Sequence, residues 1–308
     1  MNEQLKVANP FRSLLLALLL ITGGFTLLGP ALGMALATPF YPGNLLNDIM
    51  HPAAAKPEIF QALMIIQGTA TTIGLILLPL LLVKVAERQK ATAFLSGRAD
   101  IPVLVLVLLA GICLQVVLSP VAEWNLHIRF PEFLKEFEAW ARRQEDARLE
   151  LTRLLTTFTS PGRFVTALLV IAVLPGIGEE LVFRGIVQNR LHQLSRNLHV
   201  AVWISALLFS AIHLQFYGFV PRLLLGAFFG YLYGWSGSLA VPVFAHFMHN
   251  AITLLMIYLY QLDLSSIHPE EAEPAPFHLV VFCAVVFLVV VFYLQKLFRS
   301  YKPYEITE

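Results

Sequence analysis

Residues 101–121 read IPVLVLVLLAGICLQVVLSPV, twenty-one positions without a charge. A helix that crosses the roughly 30 Å hydrocarbon core of a bilayer needs about 20 mainly apolar residues, and this run meets that length. Working outward, comparable stretches lie near 13–36, 60–83, 163–183, 200–217, 221–237, 239–262 and 277–297. The stretches near 13–36, 60–83 and 277–297 are nearly free of charge, whereas polar and ionisable residues interrupt the four between 163 and 262. The expected fold is therefore all-α: a polytopic membrane bundle of about eight transmembrane helices. Composition agrees. Of 308 residues, 57% are hydrophobic and 13% charged, against about 25% charged in soluble domains, and the mean hydropathy is +0.72. A net charge of +1 provides no basic surface for nucleic acid. Cys113 and Cys283 both lie inside apolar runs and share no metal-ligand spacing, so they read as small core hydrophobes rather than a disulfide. Neither an internal repeat nor a low-complexity linker divides the chain. Residues 1–308 read as a single integral membrane domain.

Orientation follows from where lysine and arginine fall in the short loops. Lys6 and Arg12 precede the first stretch; Lys84, Arg88, Lys90 and Arg98 join the second to the third; Arg190 and Arg196 join the fourth to the fifth; Lys296, Arg299 and Lys302 follow the last. Of the alternate loops, 37–59 holds only Lys56, and 263–276 has no basic residue but holds Asp263, Glu270, Glu271 and Glu273. Eight spans with both termini in the cytoplasm satisfy this pattern, as in a bacterial inner membrane. The first stretch has a basic start and ends on Ala35-Leu36-Ala37, which resembles a signal-peptidase site. Its apolar run exceeds the roughly 7–15 residues of a cleaved signal, so it is expected to stay as a span. Segment 122–162 carries both signs of charge. Phe133, Phe137, Trp140, Leu149 and Leu154 recur there at helical spacing, which predicts an amphipathic helical segment near 130–158 lying on the membrane or capping the bundle. A solvated connector is the alternative.

Ionisable residues inside a span cost at least about 2.5–3.5 kcal/mol each on insertion scales, and they persist where they pair, line a water cavity or do chemistry. Here they gather in the core segment 163–262: Glu179, Glu180 and Arg184, then His213, then His246, His249 and Asn250. Glu180 and Arg184 are four apart, on one helical face and suited to an ion pair. Glu179 points about 100° away and is left without that partner. Phe209 and His213 share a face, as do His246 and Asn250. A carboxylate, two imidazoles and an amide from three helices could meet in one polar cavity. Taken singly, each has a plainer reading: a helix-end ion pair for Glu180–Arg184, packing for Phe209, and an interhelical hydrogen bond for a histidine, His249 above all.

The set as a whole resembles a known family. Glu179-Glu180-Leu181-Val182-Phe183-Arg184, Phe209-Ser210-Ala211-Ile212-His213 and His246-Phe247-Met248-His249-Asn250 follow, in order and within about 70 residues, the Glu-Glu-x-x-x-Arg, Phe-x-x-x-His and His-x-x-x-Asn motifs of the type II CAAX prenyl protease family, also called the CPBP intramembrane protease family. The resemblance implies an intramembrane peptidase acting on a membrane-associated protein or peptide, possibly lipidated. It implies that Glu179, with His213, activates a water for attack on a peptide carbonyl, while His246 and Asn250 hold the oxyanion. Glu180, Arg184 and Phe209 would support the site's geometry. No cofactor is favoured, although Glu179, His213 and His246 are also a conceivable zinc set. The alternatives are that zinc-dependent variant of the protease, or a non-proteolytic membrane scaffold or immunity protein of the same fold. A transporter finds no inverted repeat to support it.

Overall fold

The structure, a computed structural model, describes residues 6–50, 58–97, 99–266 and 274–300. Lys56, Arg98, Glu270, Glu271, Glu273 and Lys302, which enter the charge pattern above, lie outside the described residues. Helices α1 (Pro10–Phe40), α3 (Ile59–Ala86), α4 (Ile101–Leu126), α6 (Pro161–Ser195), α9 (Ala240–Gln261) and α10 (Phe277–Ser300) are long and apolar enough to cross a membrane. Between them lie the short α2 (Leu45–Met50), α5 (Lys135–Leu155), α7 (Leu198–Ala211) and α8 (Phe219–Ser236). The protein is thus a polytopic helical membrane protein. Six of the expected spans are helices of full length and apolarity; the other two fall on α7 and α8, of 14 and 18 residues. The surface is apolar as a lipid-facing surface must be: Val105 and Leu109 of α4, and Phe282, Leu288 and Phe292 of α10, are all exposed.

Local sequence sets the helix ends. Pro10 and Pro161 occupy first-turn positions, where no N–H is needed, behind the caps Asn9 and Ser160, whose side chains accept from the amides of Arg12 and Arg163. Asn197 caps α7 by accepting from the amides of His199 and Val200. Gly237, at φ +67°, closes α8 in the left-handed conformation that favours glycine.

Packing then follows the small residues. A Cβ on Gly29 of α1 would stand 2.5 Å from the Cα of Ala70, and one on Gly33 2.7 Å from the Cα of Ile66. Only glycine lets α1 and α3 approach backbone to backbone, the usual means of helix association in lipid. α7 and α8 form a close antiparallel hairpin in the same way, Gly226 facing Ala206 and Gly230 facing Val202. α4 packs on α10 and α8 through Val107, Leu114, Phe229, Leu232 and Leu294. Cys113 and Cys283 meet thiol to thiol across the α4–α10 contact, a proximity that spacing alone did not reveal, and both are free and buried. At one end of the bundle Arg190 of α6 bonds to Glu87, and Glu87 to Ser13 of α1.

The amphipathic segment is the helix α5, and it caps the bundle rather than extending into solvent. Phe130 and Phe137 pack on Phe216, in the turn between α7 and α8. Arg142 lies 4.5 Å from the ring centroid of Tyr217, and Leu151, Leu154 and Leu155 pack against a cluster that includes Ala62 and Leu63 of α3. One residue, Glu138, ties the approach to the helix: it accepts from the Phe130 amide at 3.1 Å and from Arg142 at 3.0 Å.

Candidate active site

α6 places the carboxylates, and its regularity is broken around them. Wider π turns at Leu168–Val173 and Leu181–Gln188 bracket the segment that carries Glu179 and Glu180, an irregularity common at functional sites. Pro175 has no N–H to give to the carbonyl of Ile171, four residues back. Asn250 of α9 supplies the donor instead, its Nδ2 lying 3.2 Å from that oxygen. One of the two amide protons of Asn250 is thereby used, which fixes the side chain against α6.

Glu180 and Arg184 form the buried centre, with side chains 0% and 1% exposed. Oε1 of Glu180 accepts from Arg184 Nη1 at 2.9 Å and from His246 Nδ1 at 2.8 Å, while its Oε2 is buried without a partner. Arg184 Nη2 donates to the Gly226 carbonyl at 2.9 Å, and one turn on Gln188 Nε2 donates to the Gly230 carbonyl at 2.9 Å. The same glycines that let α7 and α8 approach thus also receive the polar stripe of α6. The Arg184 guanidinium lies 4.6 Å from the Phe209 ring centroid and 5.4 Å from that of Phe229, favourable faces for a cation in a dry site. His246 stacks on Phe229 at 5.1 Å.

This scaffold aims His246 at the neighbouring carboxylate. With Nδ1 bound to Glu180, His246 Nε2 stands 3.8 Å from Oε2 of Glu179, whose side chain is 15% exposed. His213 lies just past the end of α7. Its Nδ1 is 2.8 Å from the Phe209 carbonyl; a carbonyl can only accept, so Nδ1 carries the proton and Nε2 of the neutral ring is an acceptor. The Phe209 ring makes edge contacts with both imidazoles, at 5.2 Å to His213 and 5.9 Å to His246. Six of the seven residues singled out from the motifs therefore lie on α6, α7 and α9, and the seventh, His213, lies just past the end of α7. Glu180, Arg184, His246 and Phe209 touch one another, Glu179 faces His246, and Asn250 is held one turn beyond it. His249 points elsewhere, to Gln115 of α4, its Nδ1 accepting at 2.8 Å.

The zinc alternative meets a geometric difficulty. Among the described residues no three histidine, cysteine, aspartate or glutamate side chains are gathered to hold a metal ion.

Sequence reasoning missed three residues beside the site. Arg222, in the first turn of α8, donates to Gln215 at 2.9 Å, and Gln215 donates to Glu145 of α5 at 3.2 Å. The signal for Arg222 was a cation inside a stretch otherwise read as a span. Glu145 carried none, since nothing in its own segment separates it from the solvated charges around it.

Fold and site together define a membrane-embedded helical protein with a buried Glu–Arg–His network beside a second, freer glutamate. Residues 161–252, which hold all three motifs, match the family model described as Type II CAAX prenyl endopeptidase Rce1-like. A stretch of 115 residues is 28% identical to "Uncharacterized protein YpbD" of Bacillus subtilis (strain 168), covering 36% of this chain and 56% of that protein. The chain thus spans about half the length of the curated relative it matches. No solved structure matches.

Proposed function

We propose that the protein is an intramembrane peptidase that hydrolyses a peptide bond in a membrane-associated protein or peptide, possibly lipidated, in a bacterial inner membrane. The observation that carries this reading is the pair Glu179–His246, 3.8 Å apart and braced from behind by the buried Glu180–Arg184 pair, within the segment that matches the family.

Glu179 acts as the base. Water has two protons; one passes to Glu179 as the oxygen attacks the carbonyl carbon, and His213 Nε2 accepts a hydrogen bond from the other. The resulting oxyanion takes hydrogen bonds from the second amide proton of Asn250 and from Nε2–H of His246. Because Nδ1–H of His246 is committed to Glu180, Nε2 can donate only when the ring is an imidazolium. Collapse breaks the C–N bond, and the proton held by Glu179 goes to the departing amine. A positioned general base contributes about 10²–10⁴-fold, and one oxyanion donor about 10²–10³-fold.

The test is cleavage of a membrane-embedded reporter peptide in liposomes. Glu179→Gln keeps size and hydrogen bonding but cannot take the proton, so turnover is expected to fall at least about 10²-fold with melting unchanged or raised. If Glu179→Gln cleaves like the parent while Glu180→Gln does not, the base is misassigned by one residue. If neither change alters cleavage, the peptidase reading fails at this site; a parent protein that does not cleave would favour a scaffold role.

A further inference from the structure

Where α5 crosses the bundle, Arg222, Gln215 and Glu145 form a hydrogen-bonded chain whose two charged ends are each half used. Nη2 of Arg222 and Oε1 of Glu145 are bonded to Gln215. Nη1 of Arg222 and Oε2 of Glu145 are both out of solvent and without a partner. A buried charged group left short of hydrogen bonds is costly, and it is retained where something else completes it. The chain stands at the site. Arg222 acts electrostatically on Glu179 and on His213, and Gln215 follows His213 by two residues.

The chemistry of the missing partner follows from the signs. An anion would suit Arg222 and the nearby Arg148 but would meet Glu145 and Glu179; a cation would suit the two carboxylates but would meet Arg222 and Arg148. A neutral group that offers one acceptor and one donor satisfies both ends, and the repeating C=O and N–H of a peptide main chain is such a group. Resting on the peptidase reading, we propose that Arg222 and Glu145, spaced by Gln215, anchor the substrate's main chain. Arg222 Nη1 donates to a substrate carbonyl and Glu145 Oε2 accepts from a substrate amide N–H. The peptide then runs between α5 and α8, and its scissile carbonyl is presented to Glu179. α5 is one wall of the binding groove as well as a cap, and the anchor reads main chain rather than side chains.

The experiment uses the full-length protein in liposomes with the membrane-embedded reporter peptide and a set of ester analogues, each replacing one backbone amide N–H by oxygen. A lost charge-assisted bond is expected to raise KM by about 10–100-fold in Arg222→Gln and in Glu145→Ala, with kcat changed far less and with parental melting. Arg222→Lys is expected to recover part of the loss. One ester position is expected to raise the parent's KM about 10-fold and to add nothing in Glu145→Ala, the signature of a direct contact. Parental KM in both variants, or ester effects that simply add to the Glu145→Ala loss at every position, overturns the anchor while parental cleavage leaves the peptidase reading standing. Absence of cleavage by the parent removes both.

Discussion

At Glu180 one oxygen accepts two hydrogen bonds, from Arg184 and His246, while Glu179, one residue earlier, stands 3.8 Å from His246 Nε2. The different settings of the two carboxylates therefore rest on Arg184, whose planar fork reaches Glu180 with one nitrogen and the Gly226 carbonyl with the other. With side chains 0% and 1% exposed, removing one partner leaves an uncompensated buried charge, which costs about 3–5 kcal/mol. Arg184→Ala is expected to lose stability on that scale as well as activity, measured by denaturant or thermal melting in micelles. Arg184→Lys is expected to lose less but not to match the parent, because an ammonium cannot span both acceptors. Parental melting with parental turnover in Arg184→Ala would make the pair dispensable. The zinc alternative is decided by metal analysis. Purified protein is expected to hold well under one equivalent and to keep its activity in strong chelator, whereas a full equivalent whose removal tracks activity would restore the zinc set Glu179, His213 and His246.

Among the elements, α5 carries a pH-sensitive contact outside the membrane. The Phe130 amide, then Arg142, hold the Glu138 carboxyl below the usual carboxylate range. A group whose folded value is depressed stabilises above its unfolded value, about 4.3 for glutamate, and that contribution is lost as pH falls through the folded value. Acid titration followed by the emission of Trp140, which packs on Phe137, is expected to show loosening of the Phe130–Phe137 contact below about pH 4. In Glu138→Gln that acid step should disappear; its persistence would place the cause elsewhere. In the bundle itself, Gly33→Leu must drive α1 from α3 and is expected to cost about 1–3 kcal/mol or more, as overpacking does. These elements also show what could be read beforehand. Long apolar runs announced the spans, and i, i+4 spacing announced the Glu180–Arg184 pair and the helical character of α5, because both are local regularities. The Cys113–Cys283 contact, the Gln115–His249 bond and the reach of Glu145 to Gln215 were not legible, because each depends on which helices become neighbours. The short length of α7 was hidden for a different reason: apolar residues continue through Ile212 and Leu214, where the helix has already ended.

For the molecule as a whole, six spans and eight spans make the same prediction for the termini, since the α7–α8 hairpin either crosses twice or not at all. They differ at the turn between these helices. α7 has 14 residues, about 21 Å at 1.5 Å per residue, less than the roughly 30 Å of hydrocarbon. By length alone the turn could stop inside the bilayer. Its contacts argue that it does not. Phe216 packs on Phe130 and Phe137, and Gln215 bonds to Glu145, so the turn meets α5, an amphipathic helix whose charged residues Arg143 and Asp146 are exposed. A helix of that kind lies at an interface, not at membrane depth, and the bilayer can thin locally around a short neighbour at a modest cost. In a protein whose Cys113 and Cys283 are replaced by alanine, single cysteines at Leu214, Asp146 and Lys90, all exposed, report the arrangement through an impermeant maleimide. Leu214→Cys and Asp146→Cys are expected to label from one side, opposite to Lys90→Cys, and in a bacterial inner membrane the first two should be reached from outside. Labelling of Lys90→Cys from outside would invert the orientation and open the candidate site to the cytoplasm. A Leu214→Cys protein that labels from neither side, while Asp146→Cys labels freely, would leave the hairpin re-entrant and the span count at six.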